Sequence, residues 1–93
     1  MATVEHGRLG TTQVVAYTGT HGAITNPVGA GVRKVRVVCT SIAHIAIGAA
    51  PVATTSDAYM PANLPEYFTI NPGEKVSAIQ VAAGGNLHVT EMD

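Results

Sequence analysis

The chain has 93 residues, 12% charged, with five Lys or Arg against six Asp or Glu and a formal net charge of −1. That length allows one domain and not two, and the near-neutral balance gives no support to nucleic-acid binding. The single cysteine excludes an internal disulfide, and no apolar run reaches the roughly 18 residues of a membrane span.

Residues 1–31 are rich in Gly and Thr and only loosely patterned, with one β-like stretch at Gln13-Val14-Val15-Ala16-Tyr17. Asn26-Pro27 reads as a turn. The segment is expected to be loosely structured and flexible, either a first strand with long loops or an arm lying on a neighbouring subunit. Residues 32–93 are expected to form the core of a single domain.

Residues 32–39 give the clearest strand. Val35, Val37 and Cys39 alternate with Lys34, Arg36 and Val38, the period of two that a half-buried strand requires. Residues 41–48 follow, with Ala43, Ile45 and Ile47 alternating; their β-branched residues favour a strand over a short helix. Residues 49–66 read as a long connection, because Pro51, Pro61 and Pro65 oppose regular structure. Residues 67–70 are the next strand. Asn71-Pro72-Gly73-Glu74 fits a type II turn, with Pro fixing φ and Gly accepting positive φ. In residues 75–82, Ser77, Ile79 and Val81 share one face of a strand. Gly84-Gly85-Asn86 reads as a hairpin turn into a last strand, with Leu87 and Val89 on one face.

Short, closely spaced strands with no convincing helix predict an all-β fold: a small antiparallel β-sandwich, jelly-roll-like, with a flexible N-terminal segment. Its core must be shallow. There is no Trp, one Phe and three Tyr, so Val, Ile and Ala have to fill it. Shallow small scaffolds usually need a disulfide, a metal or a partner subunit. Low charge would leave a lone chain with much uncharged surface. Association with other chains, as a homo-oligomer or within a symmetric assembly, is the expected source of extra stability.

Catalytic and cofactor chemistry find little purchase. His6, His21, His44 and His88 lack the close spacing of metal ligands, and no cofactor is implied. Asp57 and Glu66 bracket the long connection and read as solvated charges rather than an acid/base pair. No phosphate-binding or nucleophile motif occurs. Cys39 sits in an apolar run as a small hydrophobe. The chain is expected not to be an enzyme.

Two segments stand out as candidate protein interfaces. Arg33, Lys34 and Arg36 concentrate the basic residues. They form either a docking stripe for an acidic neighbour or a solubilising face that guards an edge strand. Tyr59, Met60, Pro61 and Leu64 combine large side chains with rigidifying prolines. They form either an interface loop or a plug for the end of the sandwich.

The C-terminal two-thirds also carries a resemblance. It rests on Val-Arg-Val-Val-Cys-Thr at 35–40, Ala-His-Ile-Ala-Ile-Gly at 43–48 and Pro-Val-Ala-Thr at 51–54. It continues through Asp-Ala-Tyr-Met-Pro-Ala at 57–62, Pro-Glu-Tyr at 65–67, Pro-Gly-Glu-Lys-Val at 72–76 and Gly-Asn-Leu-His-Val-Thr-Glu at 85–91. In this order they resemble a group of short virion structural proteins of tailed bacteriophages. The resemblance implies a β-sandwich component of a phage head or tail and carries no catalytic residue onto this chain. The resemblance does not decide between head and tail; the first expectation is a capsid decoration or cement protein bound to the major capsid protein. The alternative is a head–tail connector, tail or fibre-attachment part. The implied location is the virion, assembled in the host cytoplasm, a placement consistent with an N-terminus that lacks a signal-peptide pattern. Nucleic acid and membrane are not expected partners. A free ligand- or carbohydrate-binding sandwich is the reading from another class.

Overall fold

A computed structural model describes residues 9–92. Eight strands run in chain order: β1 (Leu9–Tyr17), β2 (Gly22–Ala23), β3 (Lys34–Cys39), β4 (Ala43–Gly48), β5 (Ala58–Met60), β6 (Glu66–Thr69), β7 (Lys75–Gln80) and β8 (Gly85–Met92). They form two four-stranded sheets of order β1-β8-β3-β6 and β2-β7-β4-β5. These are called sheet A and sheet B below.

The pairing has a simple logic. β1 pairs with β8, β2 with β7, β3 with β6 and β4 with β5, all antiparallel. The chain is therefore one long hairpin, folded at residues 49–57 and rolled up on itself. The β3–β8 and β4–β7 pairings then close each sheet. This is the jelly-roll arrangement, an antiparallel sandwich that leaves only short or protected edges. The expected all-β, jelly-roll-like sandwich is the fold observed.

Alternation decides which side chains enter the core. Val35, Val37 and Cys39 of β3, Leu87 and Val89 of β8, and Ala43 and Ile45 of β4 point inward and are buried together. Their few large neighbours are Tyr17, Ile24, Met60 and Ile70. The Asn71–Glu74 turn also forms as expected. Gly73 has φ 87° and the Glu74 N–H donates to the Asn71 carbonyl at 3.1 Å.

The structure bears on four expectations. First, residues 9–31 follow the first-strand alternative and are not an arm outside the core. β1 pairs along β8 from Thr12 to Tyr17, and Tyr17, Ile24 and Val28 are core residues. No structural break falls at residue 31; an arm in residues 1–8 would lie outside the described residues. The Gln13 amide even extends the pairing at the β1 edge: it donates to the Asn26 carbonyl (2.9 Å) and accepts the Asn26 N–H (3.0 Å). Second, the 49–66 connection is interrupted by β5, because β4 has a free edge whose backbone groups need a partner.

Third, Ser77 and Ile79 share one face of β7 as expected, with Val81 just beyond its end, and it is Val76 and Ala78 on the other face that fill the core. Fourth, Gly84-Gly85-Asn86 is not a hairpin turn. β7 and β8 lie in different sheets, and this stretch crosses between them. Its glycines are required by close approach instead. A Cβ on Gly85 would sit 2.7 Å from Thr40 Oγ1 and 2.9 Å from the Tyr17 hydroxyl.

Candidate interaction surfaces

The two outer faces of the sandwich differ in chemistry. On sheet A the outward positions are Lys34, Arg36 and Val38 of β3, His88 and Thr90 of β8, Thr12 and Val14 of β1, and Tyr67 and Thr69 of β6. Arg36 has Tyr67 and Thr90 as direct cross-strand neighbours. Thr12 and Thr90 share a hydrogen bond between their hydroxyls at 2.9 Å. A shallow depression of about 410 Å³ is lined by Leu9, Thr12, Arg36, Val38, Thr40, His88 and Thr90. Among the described residues no carboxylate occupies an outward position of this sheet. Glu91 and Glu66 register opposite the inward Val35 and Val37.

The basic residues predicted from sequence therefore gather partly here. Lys34 and Arg36 share the face, and Arg33 lies exposed just before β3. The edge-guarding alternative is corrected: β3 lies between β8 and β6, so these charges protect no edge.

Sheet B presents a different surface. Its outward positions include His44 and Ala46 of β4, Lys75, Ser77 and Ile79 of β7, and Tyr59 of β5. Ile42 and Val81 continue β4 and β7 by one row, joined by the Val81 N–H to the Ile42 carbonyl at 3.3 Å. The 49–57 connection folds back over the other end of this face. Ser77 is fully buried beneath it, accepting the Ala53 N–H at 3.1 Å and bonded to His21 Nδ1 at 3.1 Å. His44 Nδ1 donates to the Asp57 carbonyl at 2.9 Å, and its ring meets Tyr59 edge-on at 5.7 Å. Asp57 turns its carboxylate into its own loop, accepting from Thr54 N–H at 2.7 Å.

The second predicted cluster is split by this geometry. Tyr59 is 61% exposed on the outer face of sheet B, and Leu64 is exposed in the β5–β6 connection. Met60 is 1% exposed and belongs to the core. Strand alternation sends adjacent residues of β5 to opposite sides, so Tyr59 and Met60 cannot serve one interface. Pro61 is half-buried. For Met60 the plug reading is the one that fits. The exposed Ile42 and Val81 were missed as surface candidates, because an apolar residue in an alternating strand reads as core unless its direction is known.

Reactive groups are turned inward or tied down. Burial pushes the Cys39 thiol up to about 11, against the lowering effect of its hydrogen bond with the Tyr17 hydroxyl. Tyr17 itself is raised by burial, partly offset by the bond it donates to the Ser41 carbonyl. The Ser77–His21 pair has hydrogen-bond contact, but the serine oxygen is out of reach of solvent. Among the described residues no three His, Cys, Asp or Glu side chains gather as metal ligands. No family model matches the chain, and neither a curated protein nor a solved structure is similar to it.

Proposed function

We propose that this chain is a non-catalytic structural protein of a tailed-phage particle, a capsid decoration or cement protein that strengthens the head shell by burying surface against the major capsid protein. One observation carries the reading: the accessible side-chain chemistry of this jelly roll lies on its two broad outer faces, while its thiol and its buried serine are enclosed. A sheet face can contribute to an interface of standard size, about 1,600 Å² in total. Lys34 and Arg36 suit sheet A to an acidic patch on the capsid, where charge complementarity sets orientation and association rate. The sequence resemblance to small virion proteins points the same way.

The second reading within the virion is a head–tail connector, tail or fibre-attachment component, which would use the same faces at lower copy number. Quantitative mass analysis of purified particles tests both. A decoration protein is present in hundreds of copies and a connector or tail part in roughly ten, the two cases differing by the symmetry of the sites they occupy. Absence from particles rules out both.

A further inference from the structure

We infer that the depression on the outer face of sheet A is a seat for a carboxylate, the side chain of an Asp or Glu that projects from a partner protein, with Arg36 as its anchor. Adjacent rows of the sheet build it. Thr12, Thr90 and Arg36 lie side by side on β1, β8 and β3, His88 and Val38 form the next row, and Thr40 follows where its N–H donates to the Asn86 carbonyl. Arg36 is half-buried, and among the described residues it has no ion pair or hydrogen bond. The described carboxylates of the chain are engaged or turned elsewhere. Glu91 accepts the Gly29 N–H, Glu74 the Asn71 N–H and Asp57 the Thr54 N–H, and Glu66 registers opposite the inward Val37. A partly desolvated cation without a counter-charge carries a penalty that a carboxylate from outside removes.

The lining identifies the source of that carboxylate. It is rich in donors. Beside the Arg36 guanidinium, Thr40 Oγ1 already accepts the Asn86 N–H at 2.8 Å, which leaves its own hydrogen to give, and the Thr12–Thr90 bond uses only one of two hydroxyl hydrogens. No carboxylate or carboxamide lines the depression. A sugar needs acceptors for its own hydroxyl hydrogens. A carboxylate only accepts, and it fits the guanidinium fork with two parallel bonds. The depression is also too shallow to enclose a free small acid in the way ligand pockets do. A side chain presented by a protein that covers the rest of the face suits it, and Val38 and Leu9 offer apolar contact to the methylenes that carry the carboxylate.

The inference rests on the docking role proposed above for this face, and its test uses the purified chain alone. Backbone amide shifts of the full chain are followed by NMR during titration with poly-glutamate at physiological salt, with poly-galacturonate and inorganic phosphate as comparisons. Poly-glutamate is expected to shift the amides of Thr12, Arg36, His88 and Thr90. Arg36→Gln should weaken binding about tenfold or more, and Arg36→Lys, which keeps the charge and loses the fork, by nearly as much. Arg33→Gln, at the exposed position before β3, should change it by about twofold or less. Unchanged shifts of core amides show that the variants fold. No shift with poly-glutamate overturns the inference. So do equal losses for Arg33→Gln and Arg36→Gln, which mean diffuse charge attraction, and equal binding of phosphate or poly-galacturonate. Absence from phage particles strikes the virion reading instead and leaves the titration standing.

Discussion

The outer faces of sheets A and B are built by the same alternation from strands of similar length, yet they have opposite surface character. Sheet A carries Lys34, Arg36 and His88 among threonines and valines, with no outward carboxylate among the described residues. Sheet B carries an uncharged apolar strip at one end, and at the other a polypeptide cover formed by residues 49–57. The difference shows how a chain with few charged residues can give its two outer faces distinct chemistry. Most of its basic residues lie on or beside one face, and the other has Lys75 at one end and an apolar strip at the other. On the proposed reading a shallow core matters less, because a face that packs on a neighbour buries further apolar area.

Substitutions can break this arrangement in graded ways. The largest effect is expected where both faces depend on one close contact. A Cβ on Gly22 would lie 2.1 Å from the Ala16 carbonyl oxygen, backbone against backbone. Gly22→Ala should abolish cooperative folding or lower stability by more than about 4 kcal/mol, the range reserved for severe steric mechanisms. Circular dichroism during thermal unfolding measures it.

Next, Met60→Ala and Tyr59→Ala separate inside from outside at adjacent positions. Met60→Ala should cost about 2–5 kcal/mol through the cavity it leaves. Tyr59→Ala should change the stability of the dilute chain by about 0.5 kcal/mol or less, since it removes surface packing only. Denaturant unfolding at low protein concentration distinguishes the two. If both cost the same, the assignment of β5's two sides is wrong.

A smaller effect follows from Cys39. Its thiol is raised in the folded state to about 11, so the folded chain holds a proton that the unfolded chain releases near pH 9. Stability from this group is fully present below about pH 9 and falls as pH rises toward 11, by on the order of 2 kcal/mol. Tyr17 is raised as well, which extends the loss upward in pH. Cys39→Ala should flatten the profile between pH 9 and 11 while lowering stability at neutral pH. The smallest change is expected for Thr12→Val, which removes the hydroxyl bond to Thr90 on the face of sheet A at a cost of about 1 kcal/mol.

The faces of β3 are legible from its residues alone, because Val, Val and Cys on one side and Lys, Arg and Val on the other permit a single orientation. β7 is not legible in the same way. Both of its faces are apolar, and the larger side chains, Ile79 and Val81, suggest the core. The inner space instead takes the smaller Val76 and Ala78, and Ser77 is buried from outside by a loop that sequence cannot place. Gly84 and Gly85 mislead for a related reason. Glycine serves tight turns and close backbone approaches alike, and only the packing of Tyr17 and Thr40 against this stretch reveals the second use. Of the surface residues, Arg33, Lys34, Arg36, Tyr59 and Leu64 are readable from residue type and spacing. Ile42 and Val81 are not, since exposure depends on where each strand ends.

The claim beneath all of this is that neighbouring chains complete a fold whose own interior is thin. Thermal unfolding of the full chain over a hundredfold range of its own concentration tests that claim most directly. The account predicts a midpoint that climbs with concentration. A high midpoint, indifferent to dilution, would contradict it.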